Sequence, residues 1–142
     1  MAVIQTSRDI NTKIDNLWEI ISNVDKDPDY WHGTRSIKNL KKEGNIIVRE
    51  TISSFKESKC KEIVTLHPKY QTTTKIIEGP LIGWKTITLD KIDENKTRIN
   101  VKWDIHMKGF LGPFTIFVKK HILKGTEEAL NRISYKIIEK QA

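Results

Sequence analysis

From Pro113 to about Lys140 the chain carries one unbroken helical pattern, and everything between Ile37 and Met107 before it reads as strand. A lone helix of that length, following a run of antiparallel strands, has few ways to bury an apolar stripe. The commonest is to lie across the concave face of a curved sheet. Such a pairing often encloses a cavity, and a cavity points to a small apolar ligand. The stripe is predicted to run through Phe114, Val118, Ile122, Gly125, Ala129, Ile133 and Ile137. His121, Thr126 and Leu130 would sit at its margins, with Lys120, Lys124 and Glu127 opposite.

Ahead of the helix, strands are predicted at 35–41, 45–55, 59–67, 70–77, 81–92 and 96–107. The last is the clearest. Ile99, Val101, Trp103, Ile105 and Met107 alternate with Asn100, Lys102, Asp104 and His106, as in a strand with one face on a core and one in water. Glu43-Gly44-Asn45, Lys56-Glu57-Ser58, Pro68-Lys69, Glu78-Gly79-Pro80 and Asp93-Glu94-Asn95 supply the turns. Residues 2–10 form a further strand. Thr12 then opens a helix, with Asp15 three residues on in a capping-box-like arrangement. Its buried stripe is Ile14, Leu17, Trp18, Ile21 and Val24. Asp27-Pro28 starts a short second helix that ends near Trp31 and Gly33. The order is a strand, two short helices, six strands and a long helix, which is an α+β arrangement in one domain over 1–142.

A net charge of +7 invites an acidic partner, but only Arg8, Arg35, Arg49, Arg98 and Arg132 among the 25 basic residues are arginine. The lysines are dispersed along the polar sides of strands, where they solvate a surface, so nucleic acid is not an expected partner. One cysteine, Cys60, excludes an internal disulfide framework and fits a reducing compartment. No apolar stretch nears the ~20 residues of a membrane span, and Met1 to Ile10 lacks a secretory core, so a cytoplasmic location is expected.

Register arithmetic marks out a site. If Lys56-Glu57-Ser58 turns a three-residue hairpin, Phe55 pairs with Lys59, Glu50 faces Val64 and Ile52 faces Glu62. Ile46, Val48, Glu50, Ile52, Cys60, Glu62, Val64 and Leu66 then share the apolar face, with Arg49 and Thr51 on the other. Two carboxylates on an apolar face need an explanation, since an unpartnered buried charge is costly. Three resolutions stand open. A two-residue loop at Pro68-Lys69 would set Lys75 opposite Glu62. A three-residue loop would turn Tyr70, Thr72, Thr74 and Ile76 inward. A wet pocket would use Glu50 and Glu62 to orient a ligand's polar group. A β-bulge returning one Glu to solvent is the alternative to all three.

Small residues at Gly125, Thr126 and Ala129 leave either room for a ligand or a close approach of helix to sheet. Phe110 and Leu111, between glycines, are a pocket gate, a docking point for membrane or protein, or a plug for the end of the core. His32, His67, His106 and His121 show no metal-ligand spacing; His121 reads as a core-edge histidine, and Asp104 and His106 as a solvated face. Trp18 and Trp31 read as core. Trp84 faces solvent if the last hairpin has a three-residue loop, with a bulge near Gly83. There is no Gly-rich phosphate loop and no Gly-x-Ser-x-Gly elbow, so neither metal nor cofactor is expected.

These features together resemble the START-like (SRPBCC) helix-grip superfamily, which includes the major birch-pollen allergen, polyketide cyclases and coenzyme-Q-binding proteins. Ile10-Asn11-Thr12 through Leu17-Trp18-Glu19-Ile20-Ile21 is similar to the family's first strand and helix. Asn23-Val24-Asp25-Lys26-Asp27-Pro28-Asp29-Tyr30-Trp31 resembles its Asp-rich, Trp-terminated second helix. Lys108 to Ile138, with Gly109, Leu111, Gly112 and Gly125-Thr126-Glu127-Glu128-Ala129-Leu130, resembles its gripping helix. The resemblance implies a seven-stranded curved antiparallel sheet around that helix, enclosing a cavity for lipids, sterols, polyketides or quinones. It carries over no catalytic motif.

The expected function is therefore to bind a small hydrophobic molecule. From the sheet, Glu50, Glu62, Val64, Trp103 and Ile105 are the expected lining residues; from the gate and helix, Phe110, Phe114, Val118, His121, Ile122 and Gly125. A cyclase- or hydratase-type enzyme with Glu50 or Glu62 as general base is the alternative. A docking module built on Phe110 and Leu111 is a third.

Overall fold

Alternation in β7 (Lys96–Met107) organises the sheet: Ile99, Val101 and Ile105 are buried on one face, while Lys102 and His106 on the other are exposed. The computed structural model describes residues 2–67, 70–107 and 115–141. Phe110, Leu111 and Phe114 lie outside the described residues, and so does the gate predicted there. The remaining elements are β1 (Ala2–Ile10), α1 (Ile14–Ile21), α2 (Asp27–Tyr30), β2 (Thr34–Glu43), β3 (Ile46–Ser53), β4 (Lys59–His67), β5 (Gln71–Glu78), β6 (Leu81–Asp93) and α3 (Thr115–Gln141). A single 3-10 turn, Val24–Lys26, joins α1 to α2.

The seven strands form one curved antiparallel sheet in the order β1-β7-β6-β5-β4-β3-β2, an α+β fold closed over the C-terminal helix. β2 to β7 follow one another as a meander, and β1 adds itself beyond β7. α3 grips the inner face mainly with its second half, where Thr126, Ala129, Leu130, Ile133 and Ile137 are buried. Ala129, Leu130, Ile133 and Ile137 pack with Leu17, Ile20 and Ile21 of α1 and with Ile87, Leu89, Ile99 and Val101. Glu127, expected on the far side, instead meets β1, accepting from Thr6 Oγ1 and from Arg8 at 3.0 Å. The first half is barely covered: Ile116 is 67% and Phe117 73% exposed. No helix among the described residues is long and apolar enough to cross a membrane.

Local chemistry departs from expectation in three places. Thr12 does not cap α1, whose N-cap is Lys13 without a side-chain hydrogen bond. Thr12 is buried, its hydroxyl accepting from Asn16 and Gln141 and its carbonyl from Thr97, so it ties α1, α3 and β7 together. The β3–β4 turn is longer than three residues: Ser53 N–H donates to Ser58 O, and Lys56 and Glu57 adopt φ of 54° and 49°. Finally, β6 and β7 stay in register through Gly83, and the shift falls between Lys91 and Asp93. Gly83 is required for another reason. Its φ is +142°, and a Cβ there would lie 2.1 Å from Asp104 O. Trp84 does face outward, 45% exposed, with Lys75 Nζ 5.5 Å from its ring centroid.

Candidate ligand site on the inner face

Strand register lays out the inner face as rows running across the sheet. One row is Ile47, Val64, Thr74, Lys85, Trp103 and Ile4; the next is Arg49, Glu62, Ile76, Gly83, Ile105 and Ala2. The ends of these rows are buried, and apolar except for Arg49 and Glu62. Their middle is not: Thr74, Ile76, Lys85 and Trp103 are only half-buried. Accordingly the buried apolar side chains fall into three groups. The largest lies under the second half of α3, one comprises Ala2, Ile4 and Ile105 with Ile122 against them, and one comprises Val24, Ile47 and Val64.

A polar cluster occupies the seam. Arg49, 3% exposed, is its hub: Nε donates to Glu62 Oε1 at 2.7 Å, one terminal nitrogen to Val24 O at 3.0 Å, and the other to Asp27 Oδ2 at 2.8 Å. Burial works against this guanidinium, but the two carboxylates outweigh it and hold its pKa above the usual arginine value. Asp27, expected to cap α2, thus fastens α2 to the sheet, and Arg132 of α3 donates to Tyr30 O at 2.8 Å from the other side. Held at the end of α2, Trp31 stands edge-to-face with Trp103, centroids 6.2 Å apart. Trp103 Nε1 donates to Thr126 Oγ1 at 3.0 Å, fixing the indole against α3.

Lys85 projects between these indoles, its Nζ 3.2 Å from the Trp31 ring centroid and 5.2 Å from that of Trp103. Burial pulls its pKa down to about 8, against the opposing influence of Asp27 and Glu62 and with that of Arg49. Burial and then Glu62 push the Cys60 thiol up, away from a reactive thiolate. Among the described residues no three His, Cys, Asp or Glu side chains gather as metal ligands.

Of the residues singled out from sequence, Glu62, Val64, Trp103 and Ile105 lie on this face, and Ile122 packs against the cluster of Ala2, Ile4 and Ile105. Glu50 does not join them. It pairs with Lys61 on the outer face and lies 3.6 Å from Lys59. The observed register sets Arg49, rather than Ile52, opposite Glu62, a three-residue slip from the short-turn register. An odd slip exchanges the two faces of a strand. β5 follows the three-residue-loop register, with His67 opposite Gln71, so Thr72, Thr74 and Ile76 turn inward and Lys75 outward, opposite Ile63. Val118 is half-buried and His121 exposed. Gly125 is exposed too, with no atom within 4 Å of a Cβ placed on it, so close approach to the sheet does not explain it. Arg49, Asp27 and Lys85 were missed. A signal for Lys85 exists, since it shares strand parity with Ile87 and Leu89.

No protein-family model and no curated protein matches this chain. Solved structures do. An aromatase/cyclase, Zhui, from a Streptomyces species has a TM-score of 0.82 at 12% identity, over 99% of this chain and 96% of that one. A START superfamily protein from Mycobacterium smegmatis gives 0.77 at 13%, over 96% and 97%. Norcoclaurine synthase from Thalictrum flavum, in complex with dopamine and hydroxybenzaldehyde, gives 0.72 at 19%, over 97% and 87%. The chain has the START-like helix-grip fold these proteins share.

Proposed function

We propose that this protein binds a small, largely apolar molecule between the inner face of its sheet and α3. The observation that carries this reading is the incomplete cover over the middle of that face. Thr74, Ile76, Lys85 and Trp103 keep accessible surface inside the grip, while Val64 and Ile105 beside them are fully buried. Apolar surface left accessible within a fold gains free energy when a ligand covers it. The norcoclaurine synthase of the same fold, determined with two small aromatic molecules, adds support for the size class.

Binding is favoured over a cyclase- or hydratase-type reaction by the state of the carboxylates. A general base needs a carboxylate free to reach a substrate proton. Glu50 is on the opposite face and Glu62 is engaged by Arg49.

The test is native mass spectrometry of the purified protein for a co-purified small molecule, followed by thermal unfolding with apolar candidates. A ligand bound only by the native state, present at one hundred times its Kd, raises stability by about 2.7 kcal/mol. No co-purified molecule, and no change in unfolding across aromatic, acyl and sterol-like candidates, would overturn the reading.

A further inference from the structure

The outer face of the sheet carries a row that is complementary to its own reverse. Register sets Val3, Asp104, Trp84, Lys75 and Ile63 side by side on β1, β7, β6, β5 and β4. All of them point away from α3, because the residues flanking each in its strand line the inner face. By chemical type the row runs apolar, acid, Trp, base, apolar, with Trp84 at its centre.

The fold leaves these side chains short of partners. Val3 and Trp84 are large apolar groups left exposed, and the exposed Lys75 meets only the Trp84 ring, 5.5 Å from its centroid. Asp104 Oδ1 is shielded from solvent yet accepts no hydrogen bond. Lys75 cannot serve it, since they stand two strands apart, roughly 10 Å, with Trp84 between. Among the described residues neither of them joins an ion pair. A half-buried carboxylate with one oxygen so poorly served gains from a cation brought against it.

We propose that this outer face binds a second copy of the chain, sheet against sheet, about a two-fold axis that runs parallel to the strands and passes over Trp84. Such an axis lays Trp84 on the partner's Trp84, Lys75 on the partner's Asp104 and Val3 on the partner's Ile63, each unlike contact occurring twice. Sheets stack in this way about 10 Å apart with their strands within about 30° of alignment. The adjoining row, Gln5, Lys102, Thr86, Thr73 and Thr65, tolerates the same axis, because Lys102 meets the partner's Thr73 and no like charges face one another. An axis running across the strands would instead set Lys75 on Lys75 and Asp104 on Asp104, and like-charge repulsion disfavours it. The matched strip is narrow, about 19 Å over its strands, so the dimer is a weak and reversible one.

The test is sedimentation of the full chain from about 10 μM to about 1 mM, the range in which small interfaces associate. The mass is expected to rise towards twice that of the monomer. In two-dimensional NMR spectra over the same range the Trp84 indole N–H signal should move, and those of Trp31 and Trp103 should not. Lys75→Glu and Asp104→Lys each place like charges together at both equivalent contacts, and each should raise the dimer Kd at least tenfold. Mixed in equal amounts, the two variants should associate again, because every contact between them then joins opposite charges. Thermal unfolding at about 10 μM, below association, checks that both are folded. If Asp104→Lys does not fold, Lys75→Glu decides alone, since its side chain is exposed. A native protein still monomeric at about 1 mM overturns the inference. So does a dimer indifferent to Lys75→Glu, a dimer in which the Trp84 signal stays fixed, or a mixture of two folded variants that remains monomeric.

Discussion

Arg49 and Glu62 sit directly opposite one another on β3 and β4, joined by a 2.7 Å hydrogen bond with both side chains buried. The guanidinium also holds Asp27, so one arginine neutralises two acids and ties α2 to the sheet. Removing one member of a buried ion cluster strands the others without compensation. Arg49→Met is therefore expected to cost about 3–5 kcal/mol in urea unfolding. Replacing Arg49, Glu62 and Asp27 together by apolar residues should recover most of that loss. Glu50→Gln on the outer face should stay within about 0.5 kcal/mol of the native protein. A loss below about 1 kcal/mol for Arg49→Met would show that the cluster does not hold the fold together.

Lys85 makes the opposite prediction. Its pKa in the fold, about 8, lies below the ordinary 10.5, so the unfolded chain binds this proton more tightly than the native one. Stability then rises with pH across that window, because the native state sheds the charge that burial penalises. Asp27 and Glu62 face the ammonium and lessen the penalty, while Arg49 adds to it. Lys85→Met should stabilise the protein at neutral pH, and the advantage should shrink as pH rises from about 8 towards 10.5. Urea midpoints for both proteins at several pH values read this directly. A constant difference between them would mean Lys85 is not desolvated.

How far the sequence could be read follows from which signals are local. Alternation in 96–107 and helical spacing after Pro113 are set within each segment, so the order of elements along the chain, the long C-terminal helix and the inner position of Val64, Trp103 and Ile105 were accessible. The first helix was read less well, since α1 is shorter than the stripe from Ile14 to Val24 implies. Facing is not local in that sense. It turns on the residue count of a loop, and the longer turn between Ser53 and Ser58 exchanged Arg49 for Glu50 on the inner face. The same limit hid the partnership of Arg49 with Asp27, which joins residues from a helix and a strand. Gly125 shows the reverse failure: the helical stripe drifted, placing it with the core, whereas burial centres on Thr126, Ala129 and Leu130.

Two glycines separate space from strain. At Gly125 a Cβ meets nothing within 4 Å, so Ala adds helix propensity without a clash. Gly125→Ala should stabilise by about 1 kcal/mol in thermal or urea unfolding. At Gly83 a Cβ would press on Asp104 O in a backbone conformation that side chains rarely adopt. Gly83→Ala should cost about 3 kcal/mol or more. Equal effects at the two sites would contradict the assigned φ of Gly83.

The groove itself is open to a steric test. Ile76 lies in the row between Glu62 and Gly83, is half-buried, and has a neighbour with no side chain. In a filled interior, Ile76→Phe would overpack and cost about 1–3 kcal/mol. In an open one the ring extends over Gly83 into space the ligand would use. The expectation is a stability change below about 1 kcal/mol with at least tenfold weaker binding of an apolar aromatic probe such as 2-ethylnaphthalene. Thermal unfolding and fluorescence titration on the same sample separate the two cases. Loss of stability with unchanged affinity would place the ligand elsewhere, because a side chain added to an occupied core disturbs the fold and one added to a binding groove displaces its guest.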